Sequence, residues 1–109
     1  MLNRVNIYKY NNQQLLAELG QCLRRKRLNM NMQQSELAER CGVSLSTIHG
    51  LESGRNVSLD TFLAVLRELR EFDAFYVSFL KPEPIAPDVL LKLTQNQRLR
   101  AGRLKTGNT

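Results

Sequence analysis

Ser46 and His49 lie three residues apart in Gln33–Gly54, QQSELAERCGVSLSTIHGLESG, and on a helical repeat both fall away from the apolar pair Ile48 and Leu51. A hydroxyl and an imidazole on one outer face suit hydrogen bonding to a partner. They do not suit bond-making. His49 is the only histidine, with no acid–base pair around it, no glycine-rich phosphate loop and no nucleophile beside a base, so no catalytic residue is assigned. The two cysteines, Cys22 and Cys41, are too few for a disulfide framework, and with one histidine they give no metal-ligand spacing. Neither a metal nor any other cofactor is expected.

The elements that position these residues are short. Leu37 and Ala38 share the inner face of a helix that opens near Gln34. Gly42 follows and supplies the left-handed backbone that ends it. Val43 turns back to the core, and Ser44 has the hydroxyl of an N-cap. Ile48 and Leu51 form the buried stripe of a second helix, which Gly54 ends in the same way as Gly42 ends the first. A helix, a turn of about 3–4 residues containing glycine and a second helix make the helix-turn-helix signature. In that unit the N-terminal residues of the second helix meet base edges in the major groove. Ser46 would donate or accept there, and Leu45 would touch a thymine methyl. His49 would donate to a base edge or a phosphate. Gly50, read as outward-facing, offers no side chain and permits close approach. The helix has no Arg, Asn or Gln for a bidentate base contact, so specificity would lean on DNA shape or on Arg55 just beyond it.

The pattern Gln34-x-x-Leu37-Ala38-x-x-x-Gly42-Val43-Ser44-x-x-x-Ile48-x-x-x-Glu52-x-Gly54 resembles the phage repressor/Cro (XRE) family of helix-turn-helix regulators, which includes HipB-like members. The similarity runs over about residues 15–80. It implies a five-helix, lambda-repressor-like DNA-binding domain. It implies that Gln34 contacts a phosphate and that Leu45, Ser46 and Gly50 face the bases, with Ser44 at the start of the same helix. Arg27 and Glu52 would form an internal ion pair, with Arg27 also near the DNA backbone. Arg55 would meet a phosphate. The chain departs from the pattern where Gln33 replaces the usual Thr or Ser, where the loop Arg55-Asn56-Val57 lacks a Pro, and where Gly50 vacates a common base-reading position.

The whole chain has 109 residues and a formal charge of +6, with an isoelectric point near 9.8. The charge is unevenly placed. Residues 1–11 carry two basic residues, residues 12–80 hold eight basic and eight acidic, and residues 81–109 hold six basic and two acidic. The central part is neutral, so attraction to DNA must come from local placement and the tails. No apolar run is long enough to span a membrane, and no signal-peptide core is seen. A reducing cytoplasm, in association with the nucleoid, fits the free cysteines, which are expected on inner helix faces.

The chain is expected to divide into an N-terminal arm (1–11), a DNA-binding domain (12–80, with its motif at 33–54) and a Pro-containing linker with a basic tail (81–109). Val5 and Ile7 alternate with polar residues, as in a short strand or a flexible arm. Leu16, Leu19 and Leu23 mark a first helix over 12–30, which ends in Arg24, Arg25, Lys26 and Arg27. These cations suit both a helix C-terminus and a DNA backbone. Asn31 would take a left-handed cap and Met32 would enter the core. Ser58 would cap a helix whose apolar face is Leu59, Phe62, Leu63, Leu66 and Leu69. Asp73 would open a last helix carrying Phe72, Phe75, Tyr76 and Phe79, an aromatic group expected to supply a homodimer interface. A short helix could start on Asp88 or Pro87, and the basic tail from Asn96 would be a basic helix lying on DNA or a disordered arm adding phosphate contacts.

The expected fold is all-α, five helices around one core. The expected function is a sequence-specific regulator of double-stranded DNA, acting as a dimeric repressor. The alternative is the antitoxin of a toxin–antitoxin pair, with the tail or the aromatic helix holding the toxin.

Overall fold

A computed structural model describes residues 4–107, with side chains described for residues 6–100. Arg4–Lys9 winds as a 3-10 helix kinked at Asn6 (φ −114°, ψ 16°). This replaces the strand or flexible arm expected there. Alternating Val5 and Ile7 suggested a strand, but a strand without a ladder partner leaves its backbone unpaired, whereas local turns satisfy it. The first three residues of the expected arm lie outside the described residues.

Asn11 opens α1 (Asn12–Asn29) with a reciprocal cap. Its Oδ1 accepts from the Gln14 N–H at 2.8 Å, and the Gln14 Oε1 accepts from the Asn11 N–H at 2.9 Å. Asn31 (φ 54°) turns the chain out of α1 in the left-handed region. Gln33 opens α2 (Gln34–Cys41) without a side-chain cap, as its side chain implied. Gly42 ends α2 at φ 68°, ψ 32°. Ser44 caps α3 (Leu45–Glu52) by accepting from the Thr47 N–H at 3.0 Å. Ser58 does the same for α4 (Leu59–Glu68), accepting from Thr61 at 3.1 Å. A short α5 (Phe72–Phe75) runs on into a π-helical turn, Tyr76–Leu80.

The core is Leu23, Met32, Leu37, Ala38, Ile48, Leu51, Val65, Leu66 and Leu69. It forms where α3 packs on α1 and α2, and where α4 packs on α2. Two details correct the expected face of α4. Leu59 is 78% exposed, because it is the first helical residue and lies before the stripe begins. Val65 takes the central place and is fully buried. Cys22 and Cys41 are free and only half-buried. Burial, then the charge of Glu68, raises the Cys41 thiol pKa above its ordinary value.

The chain forms one compact unit up to Phe79 and a second from Leu80. In the second, residues 87–107 form a single helix, α6 (Pro87–Gly107), which joins the short helix expected near Asp88 to the tail from Asn96. Pro87 suits the first helical position, where its missing N–H costs nothing and its φ is already set. The side chains of the tail residues Arg103 and Lys105 lie outside those described. Every regular element among the described residues is a helix, and none is a strand.

Candidate nucleic-acid interface

α3 presents Leu45, Ser46 and His49 to solvent, with Leu45 51% exposed. Ile48 and Leu51 are buried beneath them. Ser44 is exposed, but its hydroxyl is committed to the cap, where it also lies 2.8 Å from the Thr47 hydroxyl. Gly50 corrects the sequence reading. It is buried, because the Arg55 side chain lies over it. Arg55 itself is exposed.

The Arg27–Glu52 pair forms in the interior. Arg27 Nε donates to Glu52 Oε2 at 2.7 Å, and Nη2 donates to Oε1 at 2.9 Å. Nη1 donates to the Met32 carbonyl at 2.7 Å. These bonds commit Arg27 to the interior of the domain. It is buried, and its guanidinium is engaged on all three nitrogens. The Glu52 hydrogen bond holds its pKa above the ordinary value, against the effect of burial. Burial also works against the Glu52 charge. Hydrogen bonds from Arg27 and Gln34, with the charges of Arg27 and Arg24, outweigh it and hold the carboxyl below its ordinary pKa. Gln34 is half-buried and donates to Glu52 Oε1 at 2.9 Å. Its amide is thus anchored to the ion pair, at the start of α2.

Of the four consecutive cations ending α1, two serve the fold. Arg27 is internal, and Lys26 pairs with Glu71 at 3.0 Å. Arg24 and Arg25 stay exposed.

Two short helices, a left-handed glycine turn and an exposed N-terminal face on the second form the complete helix-turn-helix geometry. Residues 23–72 match the family model HTH_3, helix-turn-helix. These residues are a helix-turn-helix domain of the Cro/C1 type, in the XRE family. No curated protein matches the chain. The fold is all-α and lambda-repressor-like, and the protein is a DNA-binding transcriptional regulator.

Sequence reasoning did not find how the helix-turn-helix domain holds its recognition helix. One face of α1 grips the C-terminal end of α3. Gln13 Nε2 donates to the Gly54 carbonyl at 3.2 Å, and Gln21 Nε2 donates to the Glu52 carbonyl at 3.4 Å. Between them, a Cβ on Gly20 would lie 2.5 Å from the Leu51 oxygen, and a Cβ on Gly54 would lie 2.9 Å from the Ala17 Cα. Residues 13, 17, 20 and 21 follow helical spacing, but they are polar or small, so an apolar periodicity does not reveal them. The available signal was Gly20 itself, a mid-helix glycine that needs a packing reason.

Among the described residues no helix is long and apolar enough to cross a membrane.

Proposed function

We propose that the protein is a homodimeric repressor reading two related half-sites. The observation that carries this is the aromatic end of the first unit. Tyr76 is 46% exposed, Val77 64% and Phe79 77%. Exposed large apolar side chains gathered within one turn favour an interaction surface, and aromatics are enriched at interface cores. A second copy of the same patch would cover it under two-fold symmetry. Two recognition helices would then stand about 34 Å apart, one turn of DNA. Occupancy by such a dimer is enough to block polymerase, so repression needs no further group. Ser44, Leu45, Ser46 and His49 would lie at the groove, with Gln34 at a phosphate.

The test is selection of random duplex DNA by the purified protein. A palindromic site with half-site centres about 10 bp apart supports the reading. A single unpaired half-site, or none, opposes it.

A second reading, an antitoxin that also binds a toxin protein, is favoured by α6. Its Leu90, Leu91, Leu93 and Leu99 are exposed beside Lys92, Arg98 and Arg100. A protein that co-purifies with the wild-type chain, and is lost in Leu90→Asp/Leu93→Asp while DNA binding persists, would support it.

A further inference from the structure

We propose that Arg55, its stem laid across Gly50, supplies the base-reading side chain that α3 lacks. This rests on the DNA-binding reading and assigns specificity within it. Ser46 and Gly50 are four residues apart, so they share the outward side of α3. A side chain at position 50 would stand beside Ser46. None is there, and Arg55 fills the space. A Cβ built on Gly50 would lie 3.6 Å from Arg55 Cδ and 3.7 Å from Arg55 Cβ. The base of the stem is fixed, because the Arg55 N–H donates to the Gly50 carbonyl at 2.8 Å.

The head of Arg55 shares in no ion pair among the described residues, where the pairs are Lys26–Glu71, Arg27–Glu52 and Arg40–Glu36. It borders a cleft of about 410 Å³ with Ser46, Thr47 and Asn56. An arginine stem readily lies on a surface while its head stays in water. A guanidinium reads guanine through O6 and N7 together, which no side chain of α3 can do. A stem held on the helix has also lost part of its freedom before binding, which lowers the cost of contact. A pure phosphate contact would not require the stem to follow the outward face of the recognition helix.

Gly50 is then a seat. The 3.6 Å spacing is ordinary contact, so alanine fits beneath Arg55. Leucine would occupy the stem's path and displace it.

The experiment compares sites enriched from random duplex DNA by wild type, Arg55→Ala, Arg55→Lys, Gly50→Leu and the Gly50→Leu/Arg55→Ala double variant. Arg55→Ala should flatten one or two base positions, losing discrimination of about 5- to 150-fold there, and leave the others intact. Arg55→Lys should not restore them, since an ammonium is a point charge. Gly50→Leu should flatten the same positions as Arg55→Ala, with no further loss in the double variant. Equal weakening on all sequences by Arg55→Ala would overturn the proposal in favour of a phosphate contact. So would different positions affected by Gly50→Leu. In the free wild-type protein, nuclear Overhauser contacts should join Gly50 Hα to Arg55 Hδ. Their absence would overturn the proposal whether or not Gly50→Leu folds. Failure of the wild type to enrich any site would overturn the DNA reading as well, and the contacts measured without DNA separate the two failures.

Discussion

The Arg27 guanidinium grips the Glu52 carboxylate through two hydrogen bonds, with the side chains only 6% and 4% exposed. Because Met32 and Gln34 join the same cluster, it ties the end of α1 to α2 and to the end of α3. Glu52→Ala would leave a buried cation without its partner. The expected loss is about 3–5 kcal/mol, read from urea unfolding. A loss below about 1 kcal/mol would mean the pair is open to water in solution. Replacing Arg27 and Glu52 together by Met and Leu should cost less than Glu52→Ala alone. It should not be neutral, since the Met32 carbonyl and the Gln34 amide lose their partners.

The same pair sets an acid limit. The Glu52 carboxyl titrates below its ordinary value of 4.5 in the fold. Between the two values the unfolded chain binds the proton and the folded chain does not. The stabilisation is therefore complete above about 4.5 and is lost as pH falls through the folded value. Wild type should lose stability steeply in that acid window, and Glu52→Gln should flatten that part of the profile. Parallel profiles for the two would place the acid sensitivity elsewhere.

Two helical glycines should respond to alanine with opposite signs. At Gly20 the new Cβ would meet the Leu51 and Glu52 carbonyl oxygens at 2.5 and 2.7 Å. Backbone cannot swing aside, and overpacking of this kind costs about 1–3 kcal/mol, more than the helix propensity returned. Gly20→Ala should lower the melting temperature and loosen α3.

Gly50→Ala meets only the flexible Arg55 chain at contact distance. It should raise stability by up to about 1 kcal/mol through helix propensity. A lower melting temperature would mean that Arg55 does not yield.

Local signals were legible in the sequence. Leu37, Ile48 and Leu51 marked their buried faces, and Gly42, Ser44 and Ser58 marked helix ends, because apolar spacing and cap chemistry act within a few residues. The outward position of Leu45, Ser46 and His49 followed from the same periodicity. The cover over Gly50 was not legible, because Arg55 returns across α3 only after the left-handed turn at Gly54 (φ 86°). The internal Arg27–Glu52 pair was legible only through the family pattern, because a four-cation run by itself looks like a solvated helix end. Leu59 misled because an apolar residue at a helix start can precede the buried stripe.

Phe75 and Phe79 stack with ring centroids 5.6 Å apart and planes 11° from parallel, yet they should behave differently. Phe75 is half-buried against the core and meets Phe62 edge-on at 6.2 Å. Phe75→Ala should cost about 1–3 kcal/mol of stability, less than a fully buried phenylalanine would. Phe79 is 77% exposed, so Phe79→Ser should change monomer stability by no more than about 0.5 kcal/mol. If the patch is the dimer core, the same change should raise the dimer dissociation constant about 30-fold or more, as for an interface hot spot. Sedimentation equilibrium would read this, and binding to paired half-sites should fall with it while binding to one half-site is kept. An unchanged dissociation constant would mean that Phe79 faces water in the dimer and that the two-fold contact lies on another surface.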